Sequence, residues 1–205
     1  MAEEKIHLME QIIQSSLEKS TSYTTFRNVV SDLLAAGKST GPNQSDALLN
    51  YSMLNDKRMA RLDKKIKLSN STIERLSKVK KEQTWLLITE GWCGDAAHIL
   101  PVMNKMSNEN EHIKLKVVLR DENVALMNEF LTNGSMSIPK LVVLDKDANV
   151  ISSWGPRPSI ATKMVTDYKE KHGSLDPDFK KDLQLWYNKD KGVNIQEDLL
   201  AFLEQ

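Results

Sequence analysis

The feature that most constrains the fold is a change of hydrophobic period near residue 83. Before that point apolar residues recur at spacings of three and four, as in segment 26–34, and this pattern predicts amphipathic helices. The apolar run at 84–89 then follows, and its shortness predicts a buried strand. A chain with this order must combine a group of helices with a sheet.

The pattern after residue 83 alternates strands with helices. We predict strands at 84–89, 113–120, 140–145 and 150–154, and helices at 95–107, 123–132 and 158–170. Strands joined by a helical crossover are parallel neighbours, whereas the four-residue turn KDAN predicts an antiparallel hairpin. The sequence therefore predicts a mixed sheet flanked by helices.

The chain divides into two predicted parts, a helical N-terminal extension at 1–81 and a main domain at 82–205 that ends in further helices. In the extension, a long helix that begins after Ser45 carries Arg58 and Arg61 on one polar face. This face is most simply interpreted as solvent-exposed. The alternative is that it packs near Cys93, where Arg58 or Arg61 would supply positive charge.

Composition argues against two classes of partner. Lys and Arg together number 28, as do Asp and Glu together, so the chain lacks the net positive charge typical of nucleic-acid or anionic-membrane binders. The first residues are acidic and lack the apolar run of a secretory signal. A single cysteine excludes an internal disulfide bond, which fits a reducing compartment. We expect a cytoplasmic protein that binds neither nucleic acid nor membrane.

The chemistry of the chain centres on the segment WCGDA at 92–96, between the first strand and the helix that follows it. Cys93 would lie at the start of that helix, where the helix dipole and unpaired N–H groups lower the pKa of a thiol. The negative charge of Asp95, two residues away, raises the pKa of that thiol. The sequence leaves the net direction of the shift open.

This segment resembles the thioredoxin family, in which Trp-Cys-Gly-Pro-Cys opens the same helix after the same kind of strand. Trp92, Cys93 and Gly94 match that motif, Pro101 matches the helix-kinking proline, and Ile138-Pro139 precedes the strand LVVLD where the family places a cis-proline beside the reactive sulfur. The resemblance covers residues 83 to about 170. Within the family, the chain is particularly similar to bacterial proteins that have WCGD at this site and a helical N-terminal extension. It implies an α/β thioredoxin-like fold with a central mixed β-sheet flanked by helices and an added helical N-terminal region.

The chain departs from the family at two positions. Asp95 replaces the proline of the motif and Ala96 replaces the second cysteine, so the internal step that releases a mixed disulfide is missing. Two interpretations of Cys93 then compete. It is either the nucleophile of a monothiol redox protein, resolved by an external thiol such as glutathione, or part of a non-catalytic surface that binds protein segments. The partner is accordingly a protein or a low-molecular-weight thiol, and the oligomeric state stays open.

A third and weaker interpretation is a metal site formed by Cys93, Asp95 and His98. These residues supply at most three ligands, whereas structural zinc sites have four, so we predict neither a metal nor another cofactor. His98 is expected to be a partly exposed helix residue, the alternative being that it helps to deprotonate Cys93.

The resemblance to the thioredoxin family implies that the remaining candidate residues lie around Cys93. Trp92 and Gly94 are expected to shape the approach to the thiol, and Ile138 and Pro139 to present backbone to a partner. Arg120, at the end of a predicted strand, is expected to form a solvated ion pair with its neighbour Asp121, the alternative being a contact with Asp95.

Overall fold

The computed structural model describes residues 2–203. The helices before the sheet are α1 (Ala2–Lys19), α2 (Tyr23–Ala35), α3 (Asp46–Lys65) and α4 (Asn70–Leu76). The strands are β1 (Gln83–Thr89), β2 (Ile113–Leu119), β3 (Lys140–Leu144) and β4 (Val150–Trp154), with α5 (Ala96–Asn108) and α6 (Val124–Glu129) between them. Three helices complete the chain, α7 (Ser159–His172), α8 (Pro177–Asp190) and α9 (Val193–Leu203). Within residues 2–203, no helix combines the length and the continuous apolar character needed to cross a membrane.

The four strands form one mixed sheet in the order β2-β1-β3-β4. β1 pairs in parallel with β2 and antiparallel with β3, and β3 pairs antiparallel with β4. The parallel pair is joined through α5 and the hairpin through a short turn, as the spacing predicts. The predicted mixed sheet flanked by helices is confirmed.

The sheet separates two layers of apolar side chains because successive residues of a strand face opposite sides. Trp85 and Leu87 of β1 are fully buried on one side, in the same cluster as Phe26 of α2 and Met59 of α3. Leu86 of β1 is buried on the other side, in the cluster that also contains Cys93. Residues on both sides of residue 81 therefore share one core.

The segment between α1 and α2 is bonded to the sheet. Thr21 exchanges two backbone hydrogen bonds with Val117 of β2, each of 2.9 Å. This isolated bridge occupies part of the outer edge of β2, which would otherwise present unpaired backbone groups. The N-terminal helices are thus fixed to the sheet by backbone bonds as well as by apolar packing.

The helix predicted at 123–132 is shorter in the structure. A turn of 3₁₀-helix covers Arg120–Glu122, and α6 ends at Glu129. Phe130, with φ −125° and ψ 36°, already departs from helical geometry, and Thr132 and Ser135 exchange two backbone hydrogen bonds in a tight turn. The apolar spacing at 126–131 resembles a helix, but the local turn residues end it early.

We predict that Gly155→Ala lowers the free energy of unfolding by about 3 kcal/mol, because it combines overpacking with backbone strain. Gly155 has a φ of +113°, and a Cβ there would lie 2.5 Å from the backbone carbonyl oxygen of Pro139, which cannot move aside as a side chain can. Gly134→Ala is the matched control, since its φ is +74° with nothing within 4 Å of the new Cβ. Denaturant unfolding should show a loss of about 1 kcal/mol for this control, and equal losses for the two variants would contradict the prediction.

Candidate functional site

The loop that carries Cys93 connects β1 to α5 and is fixed by residues far away in sequence. The Gly91 N–H donates to Thr40 Oγ1 at 2.9 Å, and the Gly91 carbonyl accepts from Asn55 Nδ2 of α3 at 3.0 Å. Asn55 is fully buried. Because buried polar groups need partners, these two contacts fix both the loop and the position of α3 beside it.

Cys93 is buried, with 7% of its surface exposed. Its S–H donates to the carbonyl oxygen of Ile138 at 3.3 Å, and Sγ accepts from the Ala96 N–H at 3.5 Å. Burial, together with the charge of Asp95, raises the pKa of the thiol to about 12, because the backbone N–H groups and the charge of Arg157 compensate only in part. Cys93 is therefore a neutral thiol at neutral pH.

Ile138 and Pro139 lie directly beside the thiol, and the peptide bond between them is cis. Both residues are buried. The two sequence neighbours of Cys93, Trp92 and Gly94, are partly exposed. The structure thus brings the residues of the motif and the Ile138-Pro139 segment together around one sulfur atom.

Asp95 is a buried carboxylate with a partner on each oxygen. Oδ1 accepts from the Tyr187 hydroxyl at 2.9 Å, and Oδ2 forms an ion pair with the Arg157 guanidinium at 2.8 Å. Burial raises the pKa of Asp95, and the charge of Arg157 and the bond from Tyr187 oppose that rise. Neither oxygen is directed at Cys93 as a proton acceptor, so Asp95 acts on the thiol through its charge.

The expectation that His98 is partly exposed is wrong. Only 3% of its surface is exposed, because α8 covers it. Its ring stacks on Tyr187 with a centroid distance of 4.6 Å, and Nε2 donates to Gln184 Oε1 at 2.9 Å. Burial lowers the pKa of His98 to about 4. His98 therefore contacts α8 and is neutral at physiological pH.

The metal interpretation gains no support from the part of the chain that the structure describes. Within residues 2–203, no group of three or more His, Cys, Asp or Glu side chains is placed to hold a metal ion. Asp95 is directed at Arg157, and His98 is directed at Gln184. The three proposed ligands face different partners.

The two arginines of α3 diverge. Arg58 donates to Asn55 Oδ1 at 2.9 Å, and one of its terminal nitrogens lies 4.0 Å from the point where a Cβ on Gly94 would lie. Burial and the neighbouring charge of Arg61 lower the pKa of Arg58. Arg61 is exposed and bonds to Asn188 of α8. The structure thus places Arg58, but not Arg61, beside the Cys93 loop.

Arg120 forms the expected pair with Asp121, but the pair is largely buried. The Arg120–Asp121 distance is 2.8 Å, and the two side chains are 22% and 17% exposed. The guanidinium lies over the ring of Trp92, 4.8 Å from its centroid, and the Asp121 N–H donates to the buried Glu90 carboxylate at 3.0 Å. Arg120 therefore positions Trp92 by a cation–π contact and does not contact Asp95.

Three residues that the sequence analysis did not single out complete the site. Arg157 precedes α7, and Gln184 and Tyr187 belong to α8. Gln184 and Tyr187 stand three residues apart and so share one face of α8, near the buried Leu183. That spacing predicts a packed helix face, but no pattern in the sequence connects the face with Cys93.

We predict that the protein loses stability as the pH falls below 6.5, because His98 is buried in its neutral form. Its pKa is about 4 in the folded protein and near 6.5 when unfolded, so the unfolded state binds more protons below pH 6.5. The free energy of unfolding should therefore fall as the pH drops from 6.5 to 4, by up to about 3 kcal/mol.

Denaturant unfolding at several pH values would check this in the wild type and in His98→Phe, which removes the titrating ring. Between pH 6.5 and 4 the wild type should lose stability that His98→Phe keeps, so the difference in free energy of unfolding between the two proteins should change by up to about 3 kcal/mol. The exposed His7 supplies the matched control His7→Phe, which should keep the pH dependence of the wild type. A His98→Phe profile parallel to that of the wild type would contradict the assignment.

Solved structures similar to this chain agree with the fold. A protein of unknown function from Pseudomonas aeruginosa superposes with a TM-score of 0.59 at 18% identity, covering 90% of this chain and 98% of that one. An HIV epitope scaffold superposes with a TM-score of 0.56 at 17% identity and the same coverage. No curated protein matches the sequence significantly.

A family model described as thioredoxin matches residues 41–169, more than half of the 205 residues. The matched segment begins in the loop before α3 and ends within α7. It includes the Cys93 loop and the Ile138-Pro139 segment, and it excludes α8 and α9. With a mixed four-stranded sheet flanked by helices, this match shows that the chain belongs to the thioredoxin family.

Proposed function

We propose that this protein is a non-catalytic, protein-binding member of the thioredoxin family, and that it binds its partner at the surface around Cys93 without disulfide exchange. One observation carries the proposal. The thiol in the position of the attacking cysteine is 7% exposed, and its pKa is about 12. A protein that depends on a thiolate requires the opposite arrangement.

The direction of the pKa shift separates the two interpretations of Cys93. Because burial and the charge of Asp95 both raise the pKa of Cys93, the thiol stays protonated at pH 7. A reactive cysteine is instead partly exposed in an electropositive environment, with a pKa below the usual value. Here the nearby charge of Asp95 is negative, and Ala96 supplies no resolving sulfur.

The surface next to the thiol has features of a binding region. Trp92 and Gly94 are partly exposed. Large apolar side chains are also exposed on the segment that leads to Pro139, with Leu131 at 40% and Met136 at 43%. Exposed apolar residues beside a fixed backbone are typical of sites that bind extended peptide segments.

A monothiol redox role is the second candidate, and the geometry of Sγ favours it in one respect. Sγ lies at the start of α5 and accepts the Ala96 N–H, a contact that stabilises a thiolate. In that role the Cys93 thiolate would attack a disulfide RSSR, form Cys93–S–S–R and release RS⁻. An external thiol such as glutathione would then release Cys93 and form a new disulfide with R.

Alkylation kinetics distinguish the two candidates. We predict that iodoacetamide modifies Cys93 of the folded protein slowly and that the rate rises with pH, with an apparent pKa well above the 8.5 of a free thiol. The same protein unfolded in urea supplies the reference rate, and Cys93→Ser supplies the background. Modification that is slow in the folded protein but fast in the unfolded protein supports the binding role.

The opposite result would be fast alkylation of Cys93. Fast modification of the folded protein with an apparent pKa below 8.5 would show an accessible, stabilised thiolate. It would overturn the non-catalytic proposal and establish the conditions for the monothiol role.

A further inference from the structure

A groove of about 420 Å³ opens beside the Cys93 loop, between α3 and α8. Its floor includes Gly94 and Asp95 of the loop. Polar groups reach it from both helices, Arg58 from α3 and Lys180 and Gln184 from α8. The groove therefore joins the motif of the family to a helix outside the segment that the family model matches.

Arg58 is held in the groove without a counter-charge. It is partly buried, and the hydrogen bond from its guanidinium goes to the neutral Asn55, which is itself fixed to the Gly91 carbonyl. Among residues 2–203, no carboxylate forms an ion pair with Arg58, and the charge that acts on its pKa is that of Arg61. Burying the Arg58 cation away from water is unfavourable, and a bound anion would offset that penalty. Because the side chain is already held in place, it loses little conformational entropy on binding.

Two further donors face the same space. Gln184 uses its carbonyl oxygen for His98, which leaves its amide nitrogen 3.6 Å from the Cβ position of Gly94. Lys180 is exposed and lines the groove. The one carboxylate in the lining, Asp95, is paired with Arg157. The unpaired charge of the groove is therefore positive.

The rim of the groove on α3 is apolar and open. Tyr51 and Leu54 line it and are 50% and 51% exposed. Enclosed small-molecule sites bury 70–90% of a ligand, and side chains that are half exposed around the occupant do not form such an enclosure. A chain segment that lays one acidic and one apolar side chain into the groove fits this shape better.

We propose that this groove binds an acidic peptide segment of a partner protein, a specificity that rests on the non-catalytic binding role proposed above. An Asp or Glu carboxylate of the segment accepts hydrogen bonds from Arg58 and pairs with Lys180. A neighbouring apolar side chain packs on Tyr51 and Leu54. Charge-assisted hydrogen bonds to a fixed guanidinium make the groove select an Asp or Glu carboxylate over the neutral amide of Asn or Gln.

The first test is selection from a random heptapeptide phage library on immobilised full-length protein. The wild type should select peptides in which Asp or Glu stands next to Leu, Ile, Val or Phe. Arg58→Gln should lose the acidic preference. Arg61→Gln is the matched control, since it removes the same charge one turn away, where the side chain contacts Asn188 outside the groove, and it should keep the preference.

The second test measures affinity by calorimetry with one selected peptide and its twin in which Glu is replaced by Gln. The wild type should bind the acidic peptide at least about tenfold more tightly, as expected for loss of a hydrogen bond to a charged group. In Arg58→Gln the two affinities should become nearly equal. Lys180→Gln should reduce the ratio, whereas Lys181→Gln, on the neighbouring exposed position outside the groove, should leave it unchanged.

Several outcomes would overturn the inference. They are selection of no peptide, selection without acidic enrichment, or an equal loss of preference in Arg61→Gln. Phenyl phosphate binding as tightly as the peptide would show a small-anion site instead. Fast alkylation of Cys93 with an intact acidic preference would overturn the non-catalytic role alone, and slow alkylation without the preference would overturn this inference alone.

Discussion

The structure of the candidate site depends on the buried carboxylate of Asp95. Removing a charge from water is costly unless each oxygen has a partner, and here Arg157 and Tyr187 provide those partners. The two partners come from different parts of the chain, so one carboxylate connects the Cys93 loop to the segment before α7 and to α8. Its charge also helps to raise the pKa of Cys93, which links the packing of the site to the chemistry of the thiol.

Helix α8 changes the surroundings of a thioredoxin-like motif from outside the segment that the family model matches. Tyr187 bonds to Asp95 and stacks on His98, and Gln184 bonds to His98. These contacts bury the first turn of α5 and keep His98 neutral. The same helix forms one wall of the groove that Arg58 enters from α3. A single helix therefore supplies partners to Asp95 and His98 and forms one wall of the groove beside them.

The contacts of α3 explain why the N-terminal helices share a core with the sheet. Asn55 satisfies the Gly91 carbonyl on one side and positions Arg58 on the other. Since Asn55 is fully buried, the loop and the helix cannot separate without leaving polar groups without partners. The position of the basic groove is thus fixed by the same bond that fixes the loop.

The sequence by itself determined the order of strands and helices, the mixed sheet and the family motif, because hydrophobic period and turn residues act over short distances along the chain. The charges at 58 and 61 share one helix face by spacing alone, yet Arg58 enters the groove and Arg61 contacts Asn188. The tertiary structure alone decided that His98 is covered and that Asp95 is paired. It also set the direction of the pKa shift of Cys93, since burial dominates that shift and Cys93 is buried among residues far away in sequence, such as Ile13 of α1 and Ile138.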